Sequence, residues 1–333
     1  FDILNTNDYI QYVNDKIQNA VVMLDTKTGA VRAVNGGRKQ TTLLGYNRAT
    51  DNSRSTGSSI KPVIDYGPAI EYLNYSTGQT IMDQRTTYSN GVELNNWDFS
   101  HKGAMTLRTA LVYSRNTTAL QTFKAVGETN IKSFLNNLDI QIKNDGQDYL
   151  VESNSIGADI SPIKMAAAYA TFGNYGTYSK PYTVTKVTTR DGQVTEFKPE
   201  QKQAMKDSTA YMITDVLKDS FKYGFATQAS IPGLPTAAKT GSSNYTVEQK
   251  RAMGAGDYDD IIPDSWFIGY STDYTISAWT GYDNPYEQGG GVDTTEQEYS
   301  RLIYYYLMKY MAESSSGDDW VQPDSVVKQQ IEI

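Results

Sequence analysis

The chain has 333 residues, a formal charge of −8, no cysteine and a single histidine, His101. That length suits one large domain or two ordinary ones with a substantial core, and the acidic balance without a basic block disfavours nucleic acid and anionic membrane surfaces as partners. Without cysteine there is no disulfide framework, thiolate metal site or cysteine nucleophile; a His-ligated metal or a Ser-His-Asp triad would rest on His101 alone, so no metal and no cofactor is expected.

In chain order, residues 7–19 read as a short helix or linker. Residues 20–25 and 30–34 are apolar strands around Lys27-Thr28-Gly29, a hairpin signal. A long polar stretch, 35–57, leads into a predicted helix from Ser58 to about Leu73. Residues 106–126 carry helical apolar spacing on either side of Ser114-Arg115-Asn116. Ser161-Pro162 opens a further helix over 165–172, with serine as N-cap and proline at the first helical position. A second hairpin spans 182–188 and 194–197 and turns at Asp191-Gly192.

Residues 207–223 form an amphipathic helix ended by Gly224. Strands follow at 236–242, 265–270 and 275–282, the last two joined at 271–273. A final helix covers 296–312, and Ser314 begins a flexible polar tail. No apolar run approaches the roughly 18 residues of a membrane span. The start at Phe1, without an initiator methionine or signal peptide, reads as a piece of a longer chain. Strands at both ends and a helical middle predict an α/β (α+β) fold: one antiparallel sheet assembled from both termini, flanked by helices, with a helical lobe over roughly 75–180 and a cleft between them.

Three motifs carry the chemistry. Ser58-Ser59-Ile60-Lys61 places a hydroxyl and an amine one turn apart, so that the amine can take the serine's proton without any histidine. Ser161-x-x-Lys164 and Ser325-x-x-Lys328 match the same pattern but read as a helix cap and a tail serine. Ser59 is a rival nucleophile on a different face from Lys61. Ser114-Arg115-Asn116 offers a second hydroxyl and an amide, or simply a polar break between helices. Lys239-Thr240-Gly241-Ser242 lies in strand context, where glycine permits close approach and the lysine and hydroxyls suit a carboxylate; Lys27-Thr28-Gly29 repeats the pattern in a turn. Glu128 and Glu152 read as surface charges, His101 as an exposed loop residue, and Trp97 as a cleft edge or a packed aromatic.

The order Ser-x-x-Lys, Ser-x-Asn, Lys-Thr-Gly, with Asn47-Arg48-Ala49 and the stretch Asp264 to Tyr270, resembles the transpeptidase domain of a class A penicillin-binding protein of a streptococcus-like Gram-positive bacterium. The resemblance implies residues 1–19 as linker, 20–312 as the transpeptidase domain and 313–333 as a C-terminal tail. It implies Ser58 as nucleophile and Lys61 as its base, with Ser114 passing the proton to the leaving D-alanine. Asn116 would hold the stem-peptide amide, Lys239, Thr240, Gly241 and Ser242 would form the carboxylate-binding strand, and the N–H groups of Ser58 and Ser242 the oxyanion hole. The implied partners are peptidoglycan stem peptides (a D-Ala-D-Ala donor and an amine acceptor), β-lactams as covalent inhibitors, and the cell-wall synthesis machinery. The implied location is the extracellular face of the cytoplasmic membrane, with the anchor and a glycosyltransferase domain upstream of this chain. A D,D-carboxypeptidase, a serine β-lactamase and a penicillin-binding sensor or cell-wall-binding module share the same acylation apparatus and remain alternatives.

Overall fold

The computed structural model describes residues 1–257 and 259–330. Its centre is a five-stranded antiparallel sheet. Strands β1 (Gln18–Asp25) and β2 (Val31–Asn35) form the N-terminal hairpin, whose turn is closed by Gly29 at φ +76°. Strands β3 (Ala237–Ser242), β4 (Asp264–Tyr270) and β5 (Tyr274–Gly281) come from the far end of the chain, and the spatial order is β3-β4-β5-β1-β2. The junction of the two termini runs from Gln18 opposite Gly281 to Asp25 opposite Tyr274. Helices cover both faces, so β1, β4 and β5 are buried along nearly their whole length rather than on alternate residues.

Between β2 and β3 lie α1 (Gly67–Leu73), α2 (Asn116–Val126), α3 (Pro162–Gly173) and α4 (Asp207–Lys218), and α5 (Tyr299–Ala312) closes the fold. One core packs α1 to α4 against one sheet face, with Tyr66, Phe134, Tyr169 and Trp279 at its centre. A second packs α5 and the N-terminal segment against the other face through Phe267, Ile303 and Tyr304. Among the described residues no helix is long and apolar enough to cross a membrane.

Several boundaries differ from the sequence reading. The helix expected from Ser58 is not a regular α-helix: a tight three-residue-per-turn segment, Gly57–Ile60, leads into a widened turn, Pro62–Tyr66, before α1 begins. The polar break read at 114–116 does separate two helices, Leu107–Val112 and α2, with Ser114 between them at a left-handed φ of +54°. Near the N-terminus the helix falls at Asp2–Asn5, ahead of residues 7–19. The segment after Ser314 is not wholly a loose tail, being tied down at Asp319 and Trp320. Lys218 pairs with Asp319 at 2.5 Å, while Trp320 is buried edge-on to Tyr270 at 5.5 Å and donates to the Gly173 carbonyl at 2.8 Å. One indole supplies enough apolar area to anchor an otherwise polar segment.

Candidate active site

Gly57 starts the site. Its left-handed φ of +50° turns the chain into the tight segment, in which the Lys61 N–H bonds the Ser58 carbonyl. Side chains three apart eclipse one another at three residues per turn, so Ser58 and Lys61 share one side more closely than an α-helix would allow. Ser59 is removed from contention as a nucleophile. It is buried, its hydroxyl donates to the Thr56 carbonyl at 2.8 Å, and its own carbonyl accepts from the Tyr169 hydroxyl at 2.5 Å.

Lys61 is fully buried. Its Nζ donates to the Ser114 carbonyl (2.8 Å), the Asn116 Oδ1 (2.7 Å) and the Arg115 carbonyl (3.3 Å), and lies 3.4 Å from Ser114 Oγ. Lys239 reaches the same hydroxyl from β3, at 2.8 Å. The Ser114 hydroxyl thus stands between two amines. Burial holds Lys61 well below the ordinary lysine value, and the charge of Lys239 adds to this, with Asp65 opposing. Burial brings Lys239 down to about 7. The resemblance made Lys61 the base for Ser58; in the fold its hydrogen bonds go to the 114–116 segment.

Asn116 is committed on both sides of its amide, with Oδ1 on Lys61 and Nδ2 donating to the Asn95 carbonyl at 2.9 Å. The second Nδ2 proton is left for a ligand. The 114–116 segment is clamped from beneath. Arg115, buried, pairs with buried Asp83 at 2.8 Å and with Asp98 at 3.0 Å, and Asn96 accepts from the Asn116 N–H at 2.7 Å while donating to Asp83. This network held no signal in local sequence, because residues 83, 96 and 115 meet only after folding.

Strand β3 lies directly against the 56–59 turn, and two glycines make the approach possible. A Cβ on Gly57 would stand 2.2 Å from the Ser242 carbonyl oxygen, and one on Gly241 would stand 2.2 Å from that of Thr56. Ser58, Ser114, Asn116, Thr240 and Ser242 all line one cavity of about 560 Å³. Trp97 and Phe225, stacked edge-on at 5.3 Å, border it. Trp97 was visible in the sequence as a cleft-edge candidate; Phe225 was not.

The competing copies fall away. Ser161 is the N-cap residue of α3 and Lys164 is exposed; Ser325 donates to Asp207 at 2.8 Å; Lys27 is an exposed turn residue paired with Asp273 at 3.2 Å. Glu128 pairs with Lys132 and Glu152 with Lys124. His101, expected to be exposed, is half-buried with its Nε2 enclosed and without a hydrogen-bond partner among the described residues.

An antiparallel sheet with helices on both faces, bearing Ser-x-x-Lys, Ser-x-Asn and Lys-Thr-Gly around one cavity, defines the class of penicillin-interacting serine proteins. The comparisons narrow this. The family model "Penicillin binding protein transpeptidase domain" matches residues 19–305. Penicillin-binding protein 1A/1B of Bacillus subtilis is 38% identical over 95% of the chain and 34% of its own length. Penicillin-binding protein 1A of Streptococcus pneumoniae is 37% identical over 98% of the chain and 46% of its own length. The chain belongs to the penicillin-binding protein transpeptidase domain family, and its relatives are of the class A type that the motifs resemble. It spans a third to a half of the length of these relatives. Among solved structures, the penicillin-binding protein PonA1 from Mycobacterium tuberculosis superposes with a TM-score of 0.81 at 21% identity, covering 98% of this chain and 87% of that one. The PonA1 protein has also been solved in complex with penicillin V.

Proposed function

We propose that this chain is a serine D,D-transpeptidase domain that cross-links peptidoglycan stem peptides and is acylated, and thereby inhibited, by β-lactams. The observation that carries the reading is that Ser58 and Ser114 line one cavity while Lys61 and Lys239, from two further places in the chain, both reach the Ser114 hydroxyl. Ser58 Oγ attacks the carbonyl of the penultimate D-alanine, and its proton passes to neutral Lys61. The Ser114 hydroxyl, in contact with both lysines, delivers that proton to the departing D-alanine amine as the peptide C–N bond breaks. The ester on Ser58 is then attacked by an acceptor amine, which forms the new peptide bond and returns the hydroxyl. The N–H groups of Ser58 and Ser242 receive the carbonyl oxygen, and Thr240, Ser242 and the charge of Lys239 hold the terminal carboxylate. Asn116 holds the donor amide with its remaining N–H.

The absence of a direct Ser58–Lys61 hydrogen bond fits a resting site, where such contacts are long until substrate binds. Membership of the penicillin-binding transpeptidase family, with penicillin-binding relatives at 38% and 37% identity, supports β-lactam acylation. On this reading residues 1–19 are a linker and 20–312 the catalytic domain. The full protein works outside the cytoplasmic membrane, held by a segment beyond this chain, alongside other cell-wall synthesis proteins. The test is mass spectrometry after incubation with a penicillin. A stable adduct on the Ser58 peptide, lost in Ser58→Ala, is expected, together with a cross-linked product from a D-Ala-D-Ala donor and an amine. Rapid hydrolytic turnover would instead mark a carboxypeptidase or β-lactamase, and an adduct without any cross-linked product a sensor.

A further inference from the structure

The oxyanion hole assigned above draws its two N–H groups from separate pieces of chain, Ser58 in the turn after Gly57 and Ser242 at the end of β3. Their separation decides whether both can reach one carbonyl oxygen. Strand β3 is an edge strand, hydrogen-bonded to β4 alone, and the ladder ends at Ser242 opposite Ser265. A strand end with one neighbour frays readily, because half of its backbone groups have no partner in the sheet.

A buried ionic cluster lies where the two pieces meet. Asp264, the first residue of β4, is 3% exposed and accepts from Ser243 Oγ at 2.8 Å through one carboxylate oxygen. Its other oxygen forms an ion pair with Arg54 Nε at 2.8 Å and accepts from the Trp279 indole at 2.9 Å. Ser243 immediately follows Ser242, and Arg54 lies three residues before Gly57. Arg54 is tied further to the Tyr282 carbonyl at 3.0 Å, and the neighbouring Ser55 carbonyl accepts from the Trp266 indole at 2.8 Å. Charge-assisted hydrogen bonds of this kind are short and directional, hence stiff. One carboxylate therefore grips the chain on both sides of the interlocking Gly57–Ser242 contact.

We propose that the Arg54–Asp264 ion pair, acting through the Ser243 hydroxyl, is a positioning device that sets the spacing between the Ser58 and Ser242 N–H groups. None of the three lines the cavity around Ser58. The inference rests on the transpeptidase reading of Ser58 and assigns a new role to residues outside the three motifs.

The test uses the chain as described, with Ser243→Ala, Asp264→Asn and Arg54→Gln variants. Two quantities are measured for penicillin: the acylation rate constant at saturation and the dissociation constant of the preceding complex. Acylation is expected to slow about 10- to 100-fold, the cost of a small misplacement at a reacting centre, with the dissociation constant within about threefold of the parent. The infrared stretch of the acyl-enzyme ester carbonyl is expected to rise in frequency, because a hydrogen-bonded carbonyl vibrates lower. Ser243→Ala leaves the ion pair in place and tests the idea even where the charge variants fail to fold. Parental acylation rate and carbonyl frequency in Ser243→Ala would overturn the proposal, as would equal losses of affinity and rate without a frequency shift. A parent chain that takes no adduct on Ser58 would instead defeat the underlying functional reading, before any variant is compared.

Discussion

At the scale of single residues, the site depends on keeping two amines out of water. Lys61 has backbone and amide oxygens around its Nζ and no solvent, and Lys239 is 2% exposed. Burial removes hydration from the ammonium form, so each amine gives up its proton nearer neutrality than free lysine at about 10.4. The base must be neutral to act, so the acylation rate is expected to rise with pH along an acid limb well below that value. In Lys239→Met, Lys61 loses a repelling charge and the limb moves to higher pH, as stopped-flow acylation across a pH series would show. Stability follows the same protons. Lys239 has its native value lowered to about 7, so between there and about 10.4 the unfolded chain binds a proton that the native chain does not. Native stability therefore rises with pH across that window, by about 1.4 kcal/mol per unit, and denaturation of Lys239→Met should show a correspondingly shallower rise. Gly57→Ala adds a Cβ 2.2 Å from the Ser242 oxygen at a φ of +50°. It should lower stability by at least about 1–2 kcal/mol from the backbone alone and slow adduct formation on Ser58.

At the scale of elements, two of the three motif-bearing segments lie where regular helix gives way, and the third is the strand β3. The turn 57–60 is overwound, 62–66 is widened, and a left-handed Ser114 stands at the polar break between two helices. The left-handed Ser114 is held by its surroundings: Arg115, directly after it, is locked to Asp83 and Asp98. Asp83→Ala leaves the Arg115 charge buried and should cost about 3–5 kcal/mol in urea denaturation. Lys180→Ala, which removes an exposed pair with Glu200, should leave the midpoint unchanged. Hairpins and helix starts were legible in the sequence because their signals are local: Gly29 in its turn, and Ser161-Pro162 at the head of α3. The irregular geometry around Ser58 and Ser114 was not. It is imposed by contacts with β3 and Asp83, which no window of neighbouring residues contains.

At the scale of the molecule, the sheet joins the two ends of the chain, and the C-terminal segment fastens back onto it through Trp320. Trp320→Ala should cost about 3–5 kcal/mol, read by thermal or chemical denaturation, whereas Ser325→Ala, which loses one exposed hydrogen bond, should be close to neutral. Three of the chain's own features were decided in the sequence: the five strands of its main sheet with the helices at 162–173, 207–218 and 299–312, the order of the three motifs, and the exclusion of thiol chemistry. These follow from residue type and spacing along the backbone. Tertiary structure decided which copy of each repeated motif faces the cavity, which serine stays free for attack, how far two lysines are driven toward neutrality, and how Asp264 comes to bridge Arg54 and Ser243. Burial and charge pairing are properties of residues brought together from far apart, and they take their values only when the chain has closed around them.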